Sequence, residues 1–103
     1  GADVAFYSFQ RVPKGPLKEG LLSVAPEIVF EVLSPDDRWS EVHAKTAEYL
    51  QAGVLTVCVV DDAAKTIHLH HANRASEVLI ATDELALPEV LPEFKLKVQK
   101  IFE

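Results

Sequence analysis

Two short, nearly continuous apolar runs on either side of one helical pattern constrain the fold of this chain more than any other feature. The first run lies within PEIVFEVLSP, residues 26–35, and the second is VLTVCVV, residues 54–60. Runs of this length and β-branched content are typical of strands that are covered on both faces. Two such strands joined through a helix form a right-handed crossover with parallel strands. The chain is therefore predicted to be an α/β protein.

The segment between the two runs carries the helix. One apolar stripe recurs at helical spacing and consists of Trp39, Val42, Thr46, Tyr49 and Leu50. Asp36 or Asp37 is expected to cap the first turn, and Gly53 is expected to end the helix. The start of the chain, residues 2–7, is predicted to be a strand, followed by a long loop over residues 8–25. Residues 66–71 are predicted to return as an antiparallel strand, and a short strand, a proline-containing loop and a short terminal piece complete one domain over residues 1–103.

Composition sets broad limits on function. The chain has 103 residues, of which 49% are hydrophobic, and no apolar run approaches the ~20 residues of a membrane span. Cys58 is the only cysteine, which excludes an internal disulfide and favours a cytoplasmic protein. The formal net charge of −6 argues against broad electrostatic adhesion to nucleic acid, although a local basic patch remains compatible with it.

Glu31 interrupts the first apolar run and demands a partner. An ionised carboxylate in a buried strand costs several kcal/mol, on the order of the desolvation penalty of one ion, unless a positive group meets it. The first two strands are expected to pair antiparallel, which places Asp3 near Glu31. Two neighbouring carboxylates repel each other unless a cation lies between them. Oxygen ligands of this kind select Mg²⁺ or Mn²⁺.

Lys45 is the third group predicted at this place. It falls on the flank of the helical stripe, beside Val42 and Tyr49, and can reach toward the carboxylates. A metal neutralises phosphate charge and lowers the pKa of a water, while an ammonium orients that water or stabilises a developing oxyanion. These groups together are the parts needed to hydrolyse a phosphodiester.

Several motifs resemble one known family. The segments ADVAF, PEIVFEVLSPDDR, KTAEYLQAGV, VCVVD and LPEF are similar to those of the Uma2 family, also called DUF820. That family belongs to the PD-(D/E)XK nuclease superfamily, so the resemblance implies a restriction-endonuclease-like mixed sheet. It also implies that Asp3 and Glu31 hold the metal together with the backbone carbonyl of Val32. Leu33 stands where the superfamily places its lysine, and Lys45 in the following helix matches the family's alternative position.

The chain also departs from the family pattern. Ala2 replaces a usual proline, and Cys58 replaces a common tryptophan. Family members are commonly longer at the N-terminus, so this chain is expected to be a shortened form that lacks their N-terminal elements. A sheet without those elements exposes an edge, which predicts a homo-oligomer, most simply a dimer.

The resulting functional prediction is a Mg²⁺- or Mn²⁺-dependent endonuclease that acts on DNA. Arg11, Lys14 and Lys18 make the long loop the most basic region and the predicted phosphate-contacting surface. Two alternatives stay open: an interaction or assembly domain that keeps the fold without cutting, and a hydrolase of a small phosphorylated compound. His68 and His70 alternate on one strand face and offer a second possible metal site, whereas an exposed strand face explains them equally well.

Overall fold

The computed structural model describes residues 3–8, 11 and 24–103, and this part of the chain forms seven strands and two helices. They are β1 (Val4–Phe6), β2 (Ile28–Val32), α1 (Trp39–Gln51), β3 (Thr56–Asp61), β4 (Thr66–His71), β5 (Glu77–Leu79), β6 (Glu84–Leu87), β7 (Leu91–Lys97) and α2 (Val98–Ile101). Strands β1 to β5 lie side by side in chain order in one sheet, and β6 pairs with β7 in a second, two-stranded sheet.

The predicted strand–helix–strand crossover is confirmed. Strands β2 and β3 pair in parallel, from Ile28 opposite Thr56 to Val32 opposite Val60, and α1 connects them. Strand β1 pairs antiparallel with β2, and β4 and β5 extend the sheet antiparallel on the other side. The sheet is therefore mixed, as the sequence predicts.

The predicted end of α1 agrees with the structure, whereas its predicted start does not. Gly53 follows the helix with φ of 109°, a left-handed conformation that residues with a Cβ rarely adopt, so its predicted role as a stop is confirmed. The predicted aspartate cap is wrong, because the helix begins later, after Arg38, and has no side-chain cap. The Asp37 carboxylate instead accepts the backbone N–H of Ser34 at 2.7 Å in the preceding turn. This hydrogen bond holds the pKa of Asp37 below its usual value.

The sheet separates two layers of core because alternate residues of each strand face opposite sides. On one side α1 covers Val29, Val57 and Val59. On the other side the β6–β7 hairpin and α2 cover a cluster that includes Ile28, Cys58, Ile67, Leu69, Leu85, Leu87 and Val98. The predicted packing role of Cys58 fits this position, since burial raises the pKa of its thiol to about 12 and leaves it unreactive.

The β6–β7 hairpin replaces most of the predicted proline-containing loop, whereas the predicted short terminal piece is present as α2. Leu85 and Leu87 alternate with exposed or half-buried neighbours and supply the buried face of β6. Pro88 follows β6 directly, and Pro92 lies near the start of β7, where the missing N–H disturbs few ladder hydrogen bonds. The register shifts between Ala86 and Leu87, which accommodates this irregular connection.

Both outer strands of the main sheet are only three residues long and expose apolar side chains. Val4 on β1 is 58% exposed, and Val78 on β5 is 57% exposed. Short edge strands limit uncontrolled pairing between sheets. The predicted homo-oligomer stays a prediction. Within the described residues, no helix is long and apolar enough to cross a membrane.

Candidate functional site

Two side chains of α1 contact the Glu31 carboxylate and offset the cost of placing its charge in an apolar strand. The Tyr49 hydroxyl donates a hydrogen bond to Glu31 Oε1 at 2.7 Å. The Lys45 ammonium lies 3.2 Å from the same oxygen. The Glu31 side chain is 14% exposed, so both contacts act in a partly dehydrated environment where charge-assisted hydrogen bonds are strong.

Local periodicity explains why these three side chains meet. Glu31 lies two residues after Val29 on β2, so both side chains point to the sheet face that α1 covers. Lys45 and Tyr49 are four residues apart on α1 and therefore lie on one side of the helix, above one another. The crossover returns α1 over the strand that precedes it, which brings this side of the helix onto Glu31.

Asp3 lies immediately before β1 and reaches the same end of β2. Its Oδ2 accepts the backbone N–H of Val32 at 2.7 Å, so the carboxylate is anchored beside the residue that follows Glu31. The pKa of Tyr49 is raised above its usual value, first by burial, then by the hydrogen bond to Glu31 and then by the negative charges of Glu31 and Asp3. The structure thus brings Asp3, Glu31 and Lys45 together around Tyr49.

A pocket of about 160 Å³ opens between β2 and α1 at this place. Its charged lining consists of Glu31, Asp37, Glu41 and Lys45, and its apolar walls include Leu33 and Val42. The lining has three acidic groups and one basic group. A polyanionic substrate would meet electrostatic repulsion here unless a cation were bound.

The chemistry of this donor set fits a hard divalent ion. Mg²⁺ is commonly bound through one or two carboxylates and keeps several waters, and Mn²⁺ accepts the same oxygen ligands. The Asp3 carboxylate contacts the backbone of Val32, the residue that follows Glu31, so these three groups lie at the same end of β2. Among the residues that the structure describes, no group of three or more His, Cys, Asp or Glu side chains could hold a metal ion. Two carboxylates and a backbone carbonyl are therefore the set to be tested.

The predicted basic surface is described only at Arg11, since Lys14 and Lys18 lie outside the described residues. The Arg11 guanidinium donates to three backbone carbonyls, those of Ala25 at 3.0 Å, Pro26 at 3.3 Å and Gly53 at 2.8 Å. These acceptors lie at the beginning of β2 and before β3, at the opposite end of the strands from Asp3 and Val32. The phosphate contact of Arg11 stays a prediction, and its described contacts are internal.

Glu27 is a buried acidic residue that sequence reasoning missed. It is 5% exposed, less than Glu31, and precedes the same strand. Its Oε1 accepts the backbone N–H of Ser8 at 2.8 Å and lies 3.9 Å from Arg11 Nε. Glu27 therefore ties the chain after β1 to the start of β2. Glu31, near the end of β2, faces the pocket.

His71 belongs to a second buried polar network. Its Nδ1 lies 3.1 Å from Thr56 Oγ1, and its Nε2 lies 2.9 Å from Glu77 Oε2, which links β3, β4 and β5. The hydroxyl, imidazole and carboxylate follow the order of a hydrolase triad. Thr56 is only 4% exposed, so a substrate cannot reach its hydroxyl, and the network is structural.

His68 and His70 lie on the α1 face of β4 and contact aromatic groups of the helix. The Trp39 ring centroid is 4.7 Å from that of His68, and the His43 centroid is 6.1 Å from that of His70. No metal-binding group of three side chains forms here among the described residues. The exposed-face alternative is also incomplete, because helix side chains cover part of these two rings.

Burial of His70 gives a testable pH dependence. Its pKa lies below the ordinary 6.5, first because of burial and then because of nearby His43, His68 and His71. The unfolded chain therefore binds more protons just below pH 6.5, and stability should fall as pH drops through this region. We expect urea unfolding midpoints to decrease between pH 7.5 and pH 5.5, and His70→Gln to reduce that decrease. An equal decrease in both proteins would contradict this role of His70.

Comparisons with known proteins agree with this architecture. The model of the Uma2 family, described as "Putative restriction endonuclease", matches residues 1–99. A solved structure from Anabaena variabilis ATCC 29413, titled as a "putative nuclease belonging to DUF820", superimposes with a TM-score of 0.80 at 20% sequence identity. The alignment covers 98% of this chain and 58% of that one, so the chain spans little more than half of that protein. No curated protein matches the chain.

Proposed function

The chain belongs to the Uma2 family of restriction-endonuclease-like proteins, and from this premise we propose that it is a metal-dependent endonuclease that hydrolyses phosphodiester bonds in DNA. The observation that carries the proposal is the contact of one half-buried glutamate with a lysine and a tyrosine, beside a second carboxylate. Glu31, Lys45 and Asp3 are also the residues that the family resemblance implies.

Each residue has a distinct role in the proposed reaction. Asp3 and Glu31, with the carbonyl of Val32, would hold Mg²⁺ or Mn²⁺. The bound ion would neutralise charge on the scissile phosphate and lower the pKa of the attacking water. Lys45 would orient that water or stabilise the oxyanion that develops on the phosphate. Its ion pair with Glu31 keeps the ammonium at the pocket, where it lines the space that a phosphate would enter.

We expect metal binding to stabilise the native protein. An ion that binds only the folded state raises stability by mass action, by about 2.7 kcal/mol at a concentration 100 times its Kd. Millimolar Mn²⁺ should therefore raise the thermal midpoint of the wild type and leave that of the Asp3→Asn, Glu31→Gln double variant almost unchanged. Isothermal titration of a folded sample that detected neither Mn²⁺ nor Mg²⁺ binding would refute the metal site.

A non-catalytic interaction or assembly domain is the main alternative. The net charge of −6 and the mostly acidic lining of the pocket favour it, because both oppose the approach of DNA. Plasmid nicking separates the two functions. Absence of cleavage of any DNA or RNA substrate, by this chain and by a longer natural form of the protein if one exists, would make the assembly function the better conclusion.

A further inference from the structure

The Tyr49 hydroxyl is the closest group to the Glu31 carboxylate among the contacts that the structure describes. Its 2.7 Å distance to Oε1 is shorter than the 3.2 Å distance from Lys45 to the same atom. The hydroxyl is carried by a ring that packs against the α1-side core, the cluster that contains Val29 and Val57. Tyr49 is therefore a fixed donor, whereas Lys45 ends a flexible four-carbon chain that is 44% exposed.

We propose that Tyr49 is a positioning residue for the metal site: by holding Oε1 of Glu31, it directs the other carboxylate oxygen toward the ion. This inference rests on the proposed function. Carboxylates that bind metals are commonly oriented by hydrogen bonds from neighbouring residues, and loss of such a partner typically costs ~10–100-fold in metal affinity or activity.

The arrangement also separates the duties of the two helix residues. Both of their described contacts fall on the same oxygen, and the contact from Tyr49 is the shorter one, made by the more rigid side chain. When Lys45 turns toward water or phosphate during the reaction, Tyr49 would keep Glu31 oriented. A neutral phenol suits this duty, because it donates a hydrogen bond without competing with a cation for the carboxylate charge.

The test compares Tyr49→Phe with Tyr7→Phe, which removes the same atom from the other tyrosine of the chain. Tyr7 is 40% exposed and lies just after β1, outside the pocket lining. For Tyr49→Phe we expect the Mn²⁺ Kd from isothermal titration to rise about tenfold, in line with other metal-site partners. The Mn²⁺ concentration for half-maximal plasmid nicking should rise by the same factor, while kcat at saturating Mn²⁺ stays close to that of the wild type.

The outcomes distinguish this inference from the proposed function. If the wild type binds Mn²⁺ and Tyr49→Phe binds it equally well, the positioning role is refuted and the nuclease function stands. A lower kcat at saturating Mn²⁺ with unchanged affinity would also refute it, because that result would place Tyr49 in the chemical step. If the wild type binds no metal, both the function and the positioning role fail. Should Tyr49→Phe fail to fold while Tyr7→Phe folds, the hydroxyl serves the fold and the positioning role is refuted.

Discussion

We expect Glu31→Gln to abolish plasmid nicking while the metal-free protein keeps its stability. Glutamine keeps the shape of the side chain and an oxygen that can accept the Tyr49 hydroxyl, but it removes the charge that attracts the metal. The lost ion pair with Lys45 has one partly exposed member, so the free energy of unfolding should change by less than about 1 kcal/mol. Nicking of supercoiled plasmid with Mg²⁺ or Mn²⁺ measures the loss of cleavage, and urea unfolding measures the change in stability.

The matched control is Glu84→Gln, which makes the same change at an exposed position of β6. It should cut as the wild type does. If the wild type cuts and Glu31→Gln cuts equally well, the assignment of the metal site is wrong. A large loss of stability in Glu31→Gln would instead indicate that the carboxylate serves the fold.

Lys45→Ala should lose ~10²–10³-fold in kcat, the usual cost of removing one group that stabilises charge in the transition state. It should retain Mn²⁺ binding, because the ammonium is not a ligand and its removal ends the competition between two cations for Glu31. Titration calorimetry and nicking on the same preparation separate these two effects. A parallel loss of Mn²⁺ affinity and cleavage would contradict the role of Lys45 at the water or phosphate.

Lys100→Ala provides the control for that experiment. Lys100 lies on α2 in an exposed pair with Glu103, at 3.5 Å, so its removal changes the net charge by the same amount without touching the pocket. Both variants would increase the long-range repulsion between the acidic protein and DNA by a similar amount. Only a difference between them reports on the position of Lys45.

The central part of the fold could be predicted because its residues follow simple periods. The run from Ile28 to Leu33 and the stripe from Trp39 to Leu50 gave the right elements within a few residues. The β6–β7 hairpin could not be predicted in the same way, since Pro88 and Pro92 indicate a loop. Its strands form because Leu85 and Leu87 cover the face of the sheet opposite α1, and that face exists only once the sheet has formed.

The sequence indicates which residues form the candidate site better than it indicates the hydrogen bonds between them. The sequence indicates Glu31 because a charge in an apolar strand is costly, and it indicates Lys45 because of its angle on the helix. The pattern places Tyr49 only in the apolar stripe, because periodicity reports on its ring and not on its hydroxyl. The burial of Glu27 is not evident from the sequence, because Glu27 precedes the apolar run. Its charged partner, Arg11, is also remote in sequence.

The site is assembled only while α1 is packed against the sheet, because α1 carries Lys45 and Tyr49. Thr46, at 6% exposure, is the one buried residue of this helix, and the apolar residues that pack beside it on the sheet, Val42, Tyr49 and Leu50, are only partly buried. Regions with few buried contacts open locally at low free-energy cost. Lys45 and Tyr49 leave Glu31 whenever α1 lifts away, even if all five strands stay paired. The fraction of competent molecules would then be set by a local equilibrium, and hydrogen exchange of α1 amides would track activity more closely than global unfolding does.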